Sequence, residues 1–148
     1  MKKRLYILKL RVFYGLILFL LVFNKILIHV IPFKKLIKIY SNISGKHTPS
    51  NDGIDSNRVR LVHNSIKKVQ SKIKWQPKCF ELSLTVLVLA RLFKLPGSVY
   101  FGIARDEKET MAAHAWSQLG TYYITGYENM ERFTTVYQVH YLPKGIAI

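Results

Sequence analysis

Cys79 and His114 are the two residues of this chain best suited to nucleophilic chemistry. Cys79 is the only cysteine, so it cannot close an intrachain disulfide, and a reactive thiol stands beside simple packing as its role. It follows Pro77 and opens a long apolar run, Phe80 to Phe93. A thiol at a helix N-terminus meets free backbone N–H groups and the positive end of the helix dipole, and both favour the nucleophilic thiolate. His114 stands thirty-five residues further on, in His114-Ala115-Trp116. From a strand beside that helix start, its imidazole would hold a thiolate–imidazolium pair and then protonate a leaving amine. The backbone N–H of Cys79 is the natural oxyanion donor, and the amide of Gln76, three residues upstream, is a second candidate. Taken singly, a lone cysteine is more often a small buried hydrophobe and a lone histidine more often structural. It is the pair that points to cysteine-hydrolase chemistry.

A third group should orient the histidine. The only carboxylates after His114 are Glu128 and Glu131. Glu128, following Gly126-Tyr127, is the better placed if a hairpin returns it beside the histidine strand. Asn129 is the neutral alternative. Asp106 and Glu107 read as solvated turn residues. Trp116 shares a strand face with His114 by two-residue alternation, and suits either shielding of the site or plain core.

The elements that must position these groups are legible behind them. Asp55 or Ser56 can cap a helix from about Asn57 to Lys72, with Val59, Val62, Ile66, Val69 and Ile73 on one face at three-four spacing. His63 falls beside that face and reads as a surface or packed residue. Trp75-Gln76-Pro77 breaks the chain, and Lys78 to Lys94 is apolar nearly all round, as a central buried helix is. The period then changes to two. Strands are expected over Ser98 to Ala104, Met111 to Leu119, Tyr122 to Thr125 and about Thr134 to Tyr141, with a charged hairpin turn over Arg105 to Thr110. Helices followed by successive short strands predict an α+β domain with an antiparallel sheet.

The front of the chain is different. No Asp or Glu precedes Asp52, while nine Lys and Arg residues do by Lys38, and the whole chain of 148 residues carries a net charge of +15. That charge favours an acidic partner, whether a lipid surface, a nucleic acid or an acidic peptide, or else reflects lysine-rich composition alone. Val12 to Phe23 is unbroken apolar or small, and Pro32 closes the segment before a short basic stretch, Phe33 to Tyr40. Fifteen Val, Leu, Ile and Phe residues between Val12 and Ile31 favour insertion by roughly 5 to 9 kcal/mol, against up to about 3 kcal/mol for Lys25 and smaller costs for Asn24 and His29. A helix packed on the protein, a membrane contact through residues 12–31 and a cleaved signal all stay open, although the small-x-small cleavage pattern is weak. The expected division is a hydrophobic basic helical segment over 1–40, a linker or loop over 41–57 and a catalytic domain over 58–148. With half the residues apolar, a packed core is within reach. One cysteine excludes a disulfide scaffold and makes a poor zinc site, and no glycine-rich phosphate loop is present, so neither metal nor cofactor is expected.

From Trp75 to Phe133 the chain resembles the transglutaminase-like cysteine peptidases that mature lasso peptides, both the C-terminal domain of the microcin-processing B protein and the stand-alone leader peptidases of split systems. The matching residues are Cys79 with Leu82, Ser83 and Leu84; Gly102-Ile103-Ala104-Arg105 closing a strand; Ala113-His114-Ala115-Trp116; and Ile124-Thr125-Gly126 followed by Glu128, Arg132 and Phe133. The resemblance implies a transglutaminase- or papain-like core, with Cys79 as nucleophile and His114 as base. It also implies removal of the leader from a ribosomally made precursor peptide in the cytoplasm, in company with a separate leader-binding domain protein and an ATP-dependent, asparagine-synthetase-like cyclase. Some members of this family carry an Asp twelve residues after the histidine, where this chain has Gly126. Either Glu128 takes that role or the site runs as a dyad.

Two other functions compete. The same dyad could transfer its acyl group to an amine, forming an amide or crosslink. A non-catalytic membrane-associated or peptide-binding module would keep the fold and be indifferent to Cys79→Ala. Nucleic-acid binding is permitted by charge, but no recognition motif supports it.

Overall fold

A computed structural model describes residues 1–145. Four helices precede most of the sheet: α1 (Lys2–Val30), α2 (Phe33–Tyr40), α3 (Ser56–Lys72) and α4 (Cys79–Phe93). The strands are β1 (Ile43–Ser44), β2 (Gly97–Arg105), β3 (Met111–Leu119), β4 (Tyr122–Thr125) and β5 (Thr134–Tyr141), with a 3-10 turn over Met130–Arg132. Helices and an antiparallel sheet are thus segregated along the chain, the α+β arrangement the change of period predicts.

The sheet order is β1-β5-β2-β3-β4, every pair antiparallel. β2 and β3 form a hairpin in continuous register from Gly97–Leu119 to Arg105–Met111. Its turn is held by Asp106, whose carboxylate accepts from the N–H groups of Lys108 and Thr110 and from the Thr110 hydroxyl. These bonds to the charged form hold the Asp106 carboxyl below the usual carboxylate range. β5 does not continue from β4. It crosses to the far side of β2, where it also pairs with the two-residue β1. β1 lies inside the stretch that reads as a linker, because two residues give no periodicity to detect.

Local sequence accounts for the helix starts. The Asp55 carboxylate accepts from the N–H groups of Asn57 and Arg58, at 3.0 and 3.2 Å, and so caps α3. α4 packs across the sheet, mainly on β3, and its sides are closed by two clusters. One joins it to α1 and α3 through Ile17, Leu21, Val62, Ile66, Val86 and Leu89. The other joins it to α2 and the sheet through Leu36, Ile37, Leu84, Leu87, Val99 and Val139.

α1 is long and apolar enough, by length and composition, to cross a bilayer, with a mean hydropathy of 2.1 over eighteen residues, yet only 17% of that stretch is buried in the protein. What it buries is one narrow face: Ile17, Leu20, Leu21 and Asn24. Asn24 is fully enclosed. Its amide donates to Thr85 Oγ1 of α4 at 3.0 Å, and its carbonyl accepts from the Tyr40 hydroxyl of α2 at 2.6 Å. The polar residue that makes a bilayer crossing costly is therefore a pin between three helices, with both halves of its amide satisfied.

Candidate active site

Cys79 is the first residue of α4. Lys78 before it is extended, and its backbone N–H donates to Glu81 Oε2 at 3.1 Å. This is the return arm of a capping box, and it fixes the turn that presents the thiol. Glu81 is almost wholly buried. Sequence gives no sign of it, because Lys78 lacks the side-chain acceptor of the Ser/Thr-x-x-Glu pattern and only the Glu81 arm is built. As the first helical residue, Cys79 keeps a backbone N–H with no acceptor inside the helix. Its side chain is half-buried at the edge of the second core cluster, beside Phe80.

His114 lies on β3, directly across from Gly102 of β2. Its Nε2 is 2.7 Å from the carbonyl oxygen of Gly126. A carbonyl can only accept, so Nε2 carries the proton and donates it, and in the neutral ring Nδ1 is left with the free lone pair. Phe133 stacks on the ring at 4.9 Å between centroids and Trp116 at 6.2 Å. Both rings need the glycine opposite. A Cβ on Gly102 would stand 2.8 Å from Phe133 Cβ and 2.8 Å from the Trp116 indole. Trp116, Phe133, Tyr100, Met130 and Glu131 wall a groove of about 540 Å³ that runs from this stack.

The orienting partner of His114 is thus the main chain. Gly126 has a φ of +69°, and a Cβ there would lie 2.2 Å from the Ala115 carbonyl oxygen. Only glycine brings its carbonyl up to the ring in this backbone conformation. A main-chain acceptor is not spelled in side-chain type, which is why the search for a third residue turns to carboxylates. Glu128 and Asn129 are both exposed, and neither hydrogen-bonds His114 among the described residues. The expected placement of Glu128 beside His114 is corrected: the hairpin from β3 to β4 returns Gly126 to the ring, and Glu128 beyond it faces solvent. β5 pairs with β2, so residues 126–133 lead away from β4 across the sheet end. The charge of Glu128 acts instead on His63 of α3, whose pKa is lowered by burial and Lys67 and partly raised again by Glu128. Gln76 is exposed and makes no hydrogen bond among the described residues.

No hydrogen bond joins Cys79 to His114. They stand on partnered elements, α4 and β3, but Ala115 is the residue that faces α4 in the cluster Cys79 borders, and two-residue alternation puts His114 with Trp116 on the opposite face of the sheet, so the structure does not bring the two side chains together. Two buried polar atoms have no protein partner among the described residues, Trp75 Nε1 and Ser83 Oγ, and they lie four residues to either side of Cys79.

A family model described as the transglutaminase-like superfamily matches residues 27–138. The chain belongs to that superfamily, whose members are typically enzymes of cysteine-peptidase or transglutaminase type. The match begins in the last turn of α1 and ends in β5, and so takes in α2 and the 41–57 stretch together with Cys79 and His114. No curated protein and no solved structure matches the chain significantly.

Proposed function

We propose that this chain is a cysteine peptidase that removes the leader from a ribosomally synthesised lasso-peptide precursor. Cys79 is the nucleophile and His114 the general base. The single observation that carries the reading is Cys79 at the first position of the enclosed helix of a transglutaminase-like domain that also holds His114.

In this mechanism substrate binding brings the two side chains within reach, the Cys79 thiol gives its proton to His114 Nδ1, and Sγ attacks the scissile carbonyl. The Cys79 N–H donates to the developing oxyanion, with the exposed Gln76 amide able to turn towards it. The imidazolium protonates the leaving amine as the C–N bond breaks, which leaves a thioester on Sγ. Water, deprotonated by the neutral ring, then hydrolyses the thioester and restores the thiol. The Gly126 carbonyl keeps the ring in one tautomer and steadies it when charged.

The reaction is cytoplasmic. A separate leader-binding protein delivers the precursor and an ATP-dependent cyclase takes the product; nucleic acid has no part. The test is reconstituted cleavage of a precursor encoded beside the gene, followed by mass. Cys79→Ala and His114→Ala are each expected to lower the rate by about 10³-fold or more while leaving circular dichroism unchanged. Full cleavage by Cys79→Ala overturns the assignment of Cys79 as nucleophile. A product mass retaining an added amine in place of water makes the enzyme an acyltransferase.

A further inference from the structure

α1 has a second face that none of the described residues covers. At about 100° per residue, Ile17, Leu20, Leu21 and Asn24 share the face docked on α3 and α4. On the opposite side Leu5, Leu8, Val12, Phe19, Phe23, Ile26 and Val30 line up at three-, four- and seven-residue spacing. Val12 is 66% exposed, Phe19 62%, Ile26 57% and Val30 72%. Phe19 and Phe23 stack on each other along this stripe, 5.8 Å apart. On α2 the ring of Phe33 turns inward onto Phe80 and Phe101, and Ile39 is exposed.

The stripe has basic borders. Arg4, Arg11 and Lys25 run along one edge, Lys2 and Lys9 along the other, and Lys34, Lys35 and Lys38 stand on α2. No acidic residue occurs in this part of the chain, and among the described residues none of these cations meets a carboxylate. An apolar strip flanked by uncompensated lysine and arginine matches the layering of an anionic lipid surface, hydrocarbon in the middle and phosphate on either side. An unpaired protein partner of ordinary composition would not explain cations on both borders.

Spanning is a different matter. The docked contacts run from Phe13 to Ile28, and Asn24 is bonded into α2 and α4. A helix held along that length cannot cross a bilayer without drawing α3 and α4 in with it. α3 carries Arg58, Arg60, Lys67, Lys68 and Lys72, which hydrocarbon would not accept. We infer that α1 lies flat in the headgroup region of an anionic membrane, its outer stripe in the acyl boundary and its inner face bearing the catalytic domain. This holds whether or not the domain is a peptidase.

The full chain is mixed with vesicles of phosphatidylcholine alone, or of phosphatidylcholine with phosphatidylglycerol, and the bound fraction is read by flotation. Binding to the anionic vesicles is expected to exceed binding to the neutral ones by roughly tenfold or more and to fall steeply with salt. Phe19→Ser with Phe23→Ser, and separately Lys9→Glu with Arg11→Glu, should each lower it several-fold at unchanged circular dichroism. Tags before Met1 and after Ile148 should both stay open to protease added outside the vesicles. Equal binding to both lipids, no binding, or a tag protected at one end only overturns the inference; so does a stable dimer in solution that leaves vesicles unbound, which gives the stripe to a second copy.

Discussion

α1 and α4 are both apolar over most of their circumference, and they have opposite fates. Leu84, Val86, Leu87, Leu89 and Ala90 of α4 are wholly enclosed, because that helix has the sheet on one side and α1, α2 and α3 on the others. α1 sits at the outside of the same stack and buries one stripe only. Apolar content therefore says that a helix needs covering, and topology says whether the protein itself supplies the cover. The chemistry follows the division. The enclosed helix opens on the thiol, where a rigid surround fixes direction. The half-covered helix carries the cations and none of the site.

The contrast can be tested by truncating one apolar side chain in each helix. Leu87→Ala is expected to destabilise the fold by about 2 to 5 kcal/mol, and Phe19→Ala to lie within about 0.5 kcal/mol of the parent, both read by urea unfolding. Equal costs would erase the distinction. Gly126→Ala should come next, at about 1 to 3 kcal/mol, since the new Cβ meets the Ala115 carbonyl in a left-handed backbone. It should also lower cleavage by more than its effect on stability explains, because the acceptor of His114 moves. Putting an Asp there adds the same Cβ, so Gly126→Asp is expected to fail as a restored triad. Asn24→Ala should cost about 1 to 3 kcal/mol by stranding the Tyr40 hydroxyl, while Thr85 keeps its bond to the Glu81 carbonyl, and should loosen α1 from the domain, visible as faster amide exchange in α1 than in α4.

The smallest effect expected is on pH. His140 of β5 is buried, bonded to Ser98 Oγ at 2.8 Å and to the Gly45 carbonyl at 2.9 Å. Burial lowers its pKa, opposed by the Gly45 bond and aided by nearby His47. The unfolded chain then binds a proton that the folded chain refuses. The stabilising effect is complete above the unfolded value of about 6.5 and is lost as pH falls through it towards the folded value. Tm should fall between pH 7.5 and 5.5, and His140→Gln should flatten that slope, leaving the contribution of His63, whose pKa is also lowered.

Much of the scaffold was readable beforehand. Two-residue alternation placed β2, β3, β4 and β5, and the Asp55 cap placed α3, because both are local signals with a physical period. β1 and the crossing of β5 to β2 were not readable, since strand partners are chosen by packing and not by neighbours in the chain. The hairpin from β3 to β4 does return the chain to His114, but it is Gly126 and then Phe133 that meet the ring, while Glu128 between them faces solvent.

Residue type alone fixed what Cys79 and His114 are able to do, and local spacing alone put one at a helix start and the other on a strand. Folding decided the rest. It made a glycine carbonyl the partner of the imidazole, enclosed Asn24 as a hydrogen-bonded pin and left one apolar face of α1 in the open. Each of these depends on which surfaces meet, and surfaces distant in sequence are brought together only by the packing of the whole chain.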